Sequence, residues 1–218
     1  METKYHEIIA VTAIRQIPKL AAFYEAQGYG EEKIRADSIR PDMVYKDSIY
    51  QGAELHHAHS YKEHIVNGKV CWLDGDCLER VKAIAADCRN YRANNDYQLM
   101  CRFLGEWTHY AVDCHTYPHL VKGQPWTAHH LPWEVNQGTW IKNNQDRIGK
   151  LNFVIYKDIY KAFCKDAREM YPEALKLVKL LEKGDQLSDH KNLMLAQRIA
   201  TAVGSGLLTI TKKFWPTE

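Results

Sequence analysis

Between Phe103 and His119 the chain reads Phe-Leu-Gly-Glu-Trp-Thr-His-Tyr-Ala-Val-Asp-Cys-His-Thr-Tyr-Pro-His, and His109 and Asp113 stand four residues apart among Leu104, Trp107, Tyr110, Ala111 and Val112. Four residues is close to one helical turn, so both side chains project from one face of a helix whose other residues belong in a core. An ionisable pair buried there needs a compensating partner, and imidazole with carboxylate is a ligand mixture that suits zinc. As a surface ion pair on the helix it would contribute only about 0.2–0.5 kcal/mol, and its apolar neighbours would be out of place. A chain built around this stretch therefore has to bury the helix and bring further ligands to it.

Further ligands are close in sequence. His119 follows Pro118, and the four-residue spacing recurs at His130 and Glu134, so two pairs at ligand spacing and the intervening His119 fall within the 26 residues from His109 to Glu134. Nine of the eleven histidines lie between His56 and His130. A single histidine on an apolar helix face is more often a satisfied core residue than a ligand; the repeated pairing is what points to a metal.

Helical periodicity dominates the rest of the chain, and by expectation no segment combines the sustained alternation of a strand with a Gly-Asn or Asp-Gly hairpin turn. The expectation is an all-α fold: one domain spanning 1–218, a bundle of about eight helices around a clustered zinc site. The pattern predicts a first helix from about Lys4 to Gln16 and a second from Pro18 to Gly28, then an irregular stretch through about Tyr61. Asp74 or Asp76 caps a helix running to about Arg92, and Asp96 caps the one that carries His109. A turn-rich segment at 123–128 precedes helices over about 132–143, 146–171, 172–183 and 188–212. Because Pro132 fits only a first turn, His130 is expected at the start of its helix.

The irregular stretch is long for a compact domain, and such loops usually carry function. This one holds Asp37, Asp42, Asp47, His56, His57 and His59.

Acidic and basic residues are interleaved and the net charge is +2, which argues against broad electrostatic capture of duplex nucleic acid. Uninterrupted apolar runs are short, and the first residues lack the basic and apolar regions of a secretory signal. A soluble, cytoplasmic protein is expected, or a secreted one if the numbering starts at a processed end. The six cysteines, at 71, 77, 88, 101, 114 and 164, form no Cys-x-x-Cys pair and read as reduced core thiols. His64, His115, His129 and His190 read as supporting or surface side chains, and Trp126, Trp133 and Trp140 as wall or core.

With these motifs in view, the chain resembles the zinc-dependent phospholipase C family, which shares a superfamily with the single-strand-specific zinc nucleases. Leu104-Gly105, His109-Tyr110, Asp113 and Pro118-His119 match its core helix and following turn. Tyr5-His6-Glu7-Ile8-Ile9 is similar to its amino-terminal segment and 193–199 to its terminal helix. Pro41-Asp42 with His56, and His130 with Glu134, match its remaining ligand pairs. The resemblance implies two to three zinc ions: one on Asp42, His56, His109 and Asp113, a second on His119, His130 and Glu134, and a third on His6 with bridging Asp113. The family completes the third position with an amino-terminal tryptophan exposed by processing; here the chain begins at Met1, whose amine is the available substitute. Asp37 and Asp47 compete with Asp42, and His57 and His59 with His56.

The implied function is a zinc-dependent phosphodiester hydrolase, phospholipase C-like, in which a metal-activated water attacks phosphorus and Asp42 orients or deprotonates it. Glu134, where the nuclease branch generally has aspartate, favours a phospholipid or soluble head-group ester as substrate. A single-strand-specific nuclease of the same fold, with aromatics stacking the bases, is the alternative. A non-catalytic zinc-binding protein that retains the ligands is the reading from a different class.

Overall fold

In a computed structural model the described residues are 4–46, 61–66, 69–74, 76–120, 124–181, 186–212 and 214. For 43–46, the strands, 76, 118, 124–132, 134, 178 and 181 the description covers the backbone alone. Eight helices of nine residues or more carry the structure: α1 (Lys4–Arg15), α2 (Pro18–Ala26), α3 (Glu31–Lys46), α4 (Asp76–Ala93), α5 (Tyr97–Asp113), α7 (Gln124–Asn144), α8 (Ile159–Leu181) and α9 (Asp189–Thr211). A four-residue turn, α6 (Tyr117–Leu120), and a 3₁₀ turn at Gln145–Ile148 complete the helical elements. The class is all-α, with one small antiparallel hairpin of β1 (Tyr61–Val66) and β2 (Lys69–Asp74) that pairs Tyr61 with Asp74 and Val66 with Lys69.

Helix α5 lies at the centre, packed against α4, α3, α9 and α1, and α1 in turn touches α3, α7 and α9. Its buried stripe, from Met100 and Cys101 through Leu104, Trp107, Tyr110 and Ala111, joins residues of all the long helices in one hydrophobic cluster. Asp96 caps α5 by accepting a hydrogen bond from the Leu99 amide at 3.2 Å. Asn95, at a φ of 57°, turns the chain between α4 and α5 in the left-handed region that asparagine tolerates. Ser188 caps α9 in the same way, accepting from Lys191.

Helices cross closely where glycine leaves room. A Cβ built on Gly206 of α9 meets the Trp107 ring at 2.1 Å, and Trp107 is anchored by its indole N–H donating to the Val81 carbonyl at 3.0 Å. Of the described helices, α9 is long and apolar enough to cross a membrane, but most of that apolar window is buried inside the fold. Burial of Leu195, Ile199, Val203, Leu207 and Ile210 makes it a core helix.

The β1–β2 hairpin departs from the expectation of no strand pair, and four helix boundaries differ as well. Helix α3 occupies the first half of the predicted loop: Glu31 and Glu32 sit in its first turn, and it continues past Pro41 despite the missing amide. Helix α7 starts at Gln124 in the predicted turn-rich segment and runs through Pro132, so His130 is not at its start. The helix expected over 146–171 is replaced by the 3₁₀ turn, a non-helical strap at 149–158, and α8. The break expected at Pro172 is absent, because α8 runs through it.

Side chains from distant elements account for the strap. The Leu151 amide donates to Gln16 Oε1 at 2.8 Å, Val154 to Ser205 Oγ at 3.0 Å and Tyr156 to Thr209 Oγ1 at 2.8 Å. Gly149 opens the strap at a φ of 68°, where a side chain is disfavoured.

Candidate metal centre

One glycine sets the geometry of the candidate centre. Where α3 crosses α5, a Cβ on Gly105 would meet the Asp37 Cβ at 2.6 Å, so only glycine permits this approach. One turn further along α5, His109 Nδ1 donates to the Ser38 carbonyl at 3.0 Å. That bond fixes the ring and leaves Nε2 as the lone-pair nitrogen, the arrangement in which a histidine is usually held for a metal. One turn along α3 from Ser38, Asp42 brings Oδ1 to 3.6 Å from His109 Nε2.

Asp113, the last residue of α5, forms the hub. Its Oδ2 is 3.3 Å from His109 Nε2, and its Oδ1 is 3.5 Å from His6 Nε2 and 3.4 Å from His119 Nε2. His6 comes from the first turns of α1 and stacks its ring on His109, with centroids 4.2 Å apart and planes 19° apart. His119 comes from α6, the short turn after α5. His6, His109, Asp113 and His119 are all buried, at 1–2% exposure, and Asp42 is 8% exposed.

These separations are long for charge-assisted hydrogen bonds, which close to roughly 2.7–2.9 Å. They match ligand atoms around a shared ion: two donors at roughly 2.0–2.2 Å from a tetrahedral zinc are roughly 3.3–3.6 Å apart. Burial by itself would raise the Asp113 pKa, but His119, His109 and His6 around it hold the carboxyl well below the usual carboxylate range. It is therefore ionised at neutral pH, as a ligand must be.

Two overlapping groups can hold a metal ion. His6, His109 and Asp113 offer ligand atoms that all lie within 4.8 Å of one another, and so do Cys77, Asp113 and His119. Asp113 belongs to both.

The structure thus brings together His6, Asp42, His109, Asp113 and His119, drawn from α1, α3, α5 and α6. Asp37, a competitor of Asp42, is turned to the Tyr29 hydroxyl, which donates to its Oδ2. Burial raises the Asp37 pKa against the opposing effect of that bond. Asp47, His56, His57 and His59 lie outside the described residues. So do the side chains of His130 and Glu134, whose backbones lie on α7. His115 is fully buried one turn past Ala111, donating from Nδ1 to that residue's carbonyl at 2.7 Å, and takes no part in the cluster; His190 is exposed. Trp133 is core, packed edge-on to Tyr5 and Tyr117.

In the sequence Cys77 reads as a core thiol only. Its place beside Asp113 and His119 depends on how the start of α4 meets the end of α5, which no spacing in the chain announces.

A cavity of about 550 Å³ between α4, the strap, α8 and α9 is lined by Lys82, Arg89, Lys157, Lys161 and Lys212 and shares no residue with the cluster. It holds no imidazole or thiol, and Asp158 in its wall caps α8 by accepting from the Lys161 amide.

No protein-family model, no curated protein and no solved structure matches the chain.

Proposed function

We propose that this protein is a zinc-dependent phosphodiester hydrolase of the phospholipase C kind, with two to three zinc ions gathered around Asp113. The observation that carries the reading is the ring of His6, His109 and His119 nitrogens at 3.3–3.5 Å from a buried, ionised carboxylate. The donor set and its spacing fit zinc. Support for the phosphodiester class comes from the sequence motifs, which pair these residues with His56, His130 and Glu134.

Zinc held by these residues would supply Lewis acidity towards phosphoryl oxygens and a bound water. The protein's own side chains do the rest. Ser38 locks the His109 ring through its carbonyl, and Asp113 spans two ligand groups with its two oxygens. Asp42, the most exposed member of the cluster, accepts the proton of the attacking water at its carboxylate and aims that water at phosphorus. Tyr5 and Tyr110, both buried, stand edge-on to His6 and His109 and keep bulk water from that side of the centre. The favoured substrate is a phospholipid or a soluble head-group ester.

The test is zinc per chain by elemental mass spectrometry on protein purified without a histidine tag or chelator, followed by hydrolysis of a phosphocholine ester and of single-stranded DNA. Two to three equivalents of zinc, with ester cleavage abolished by chelator, are expected. DNA cutting without ester cleavage would move the assignment to the nuclease branch. Full zinc with neither activity would make the protein a non-catalytic zinc binder, and zinc near zero after supplementation would remove the site.

A further inference from the structure

Cys77 is the second residue of α4 and is buried, at 1% exposure. Its sulfur lies with a carboxylate oxygen of Asp113 and a ring nitrogen of His119 in a group whose members are all within 4.8 Å of one another. The phospholipase C-type ligand pattern carried by the sequence has no cysteine at this point; it gives His119 the company of His130 and Glu134. We propose that Cys77 is a thiolate ligand to the ion held by His119 and Asp113, so that this centre contains one sulfur-bound metal position beside one bound only by nitrogen and oxygen. The proposal rests on the metal-centre reading above and specifies the chemistry of its second position.

Three observations support it. Thiolate, imidazole and carboxylate are the three ligand types of protein zinc sites, and in these buried surroundings they converge from three separate elements, α4, α5 and α6. The first turn of an eighteen-residue helix favours negative charge through its unsatisfied amide groups, which suits a thiolate at Cys77. Asp113 faces His109 with Oδ2 and both His6 and His119 with Oδ1, so one carboxylate borders both positions. A sulfur ligand also selects the metal: the position takes zinc or cobalt(II) and disfavours magnesium and calcium, which prefer oxygen alone.

Cobalt(II) titration of the metal-free full-length protein tests this directly, because thiolate bound to cobalt gives an intense near-ultraviolet charge-transfer absorption that nitrogen and oxygen ligands do not. Wild-type protein is expected to show the band. Cys77→Ser is expected to lose it and to bind that equivalent of cobalt at least about tenfold more weakly, since even residues that only support a ligand affect affinity about 10–100-fold. Cys88→Ser, a change at a buried thiol on the same helix, is expected to retain it. Cobalt binding to the wild type without the band overturns the thiolate and leaves the metal centre standing, as does a band that survives in Cys77→Ser. Failure to bind cobalt overturns both. A cobalt-bound wild-type spectrum without the band overturns the proposal even if Cys77→Ser does not fold.

Discussion

At the residue scale, Asp113 concentrates the chemistry. It is the member common to both ligand groups, so Asp113→Asn, which conserves shape and removes charge, is expected to lower total bound zinc more than either His6→Ala or His119→Ala. Elemental analysis of the three variants checks the order; equal losses would mean that the two groups are not joined through this carboxylate. His109→Ala is expected to lose at least one ion and nearly all activity, and full zinc content with normal turnover in that variant would refute the assignment. Gly105 matters through the Asp37 Cβ that would meet its own at 2.6 Å. Gly105→Ala is expected to cost about 1–3 kcal/mol, the usual range for forcing extra carbon into a packed crossing. It is also expected to weaken zinc binding by moving Asp42 off His109, and denaturant titration with and without zinc separates the two effects.

At the element scale, the strap over 149–158 shows most clearly how distant groups override local pattern. Its amides are satisfied by Gln16, Ser205 and Thr209, residues of α9 and of the α1–α2 junction. Ser205→Ala removes the acceptor of the Val154 amide and is expected to cost about 0.5–1.5 kcal/mol, read as faster hydrogen exchange at Val154 in the variant than in the wild type. A second tie joins α7 and the following 3₁₀ turn to α9: Arg147 and Trp140 both donate to Asp189, and they pull its pKa down to about 2. A carboxylate lowered on folding contributes stability above its unfolded value, which is roughly 3.9. That contribution is lost as pH falls through the folded value, so the stability difference between wild type and Asp189→Asn is expected to be constant at pH 5–7 and to shrink between pH 4 and 2. A difference that grew on acidification would contradict the sign.

At the scale of the whole molecule, the centre joins α1 and α3 to the α5–α6 segment, which is far from them in the chain, and metal binding should therefore stabilise the fold as a unit. With free zinc at a hundred times the dissociation constant, binding contributes about 2.7 kcal/mol. For a domain of this size that corresponds to a rise in Tm of about 5–10 °C over chelator-treated protein. Calorimetry with zinc and with chelator checks this, and an unchanged Tm in protein that has bound zinc would mean that the ligands are not shared between elements as described.

The sequence by itself determined the helical class, the cap at Asp96, and the central fact of the site: a turn-spaced His109 and Asp113 on a helix too apolar to be exposed. Such features are local, set by spacing and capping within a few residues, and so they are legible in one dimension. What only the tertiary structure decided is which distant groups meet that helix. The crossing at Gly105 chose Asp42 rather than Asp37 as the neighbour of His109, because the hydroxyl of Tyr29 engages Asp37. Helix α3 persists through Pro41 because it packs on α1 and α5, and the strap stays extended because side chains of other elements hold its amides. Cys77 joined the cluster by the same route. Hydrophobic burial and hydrogen bonding across the fold supply these partners, and nothing in local periodicity records where across the fold a partner will come from.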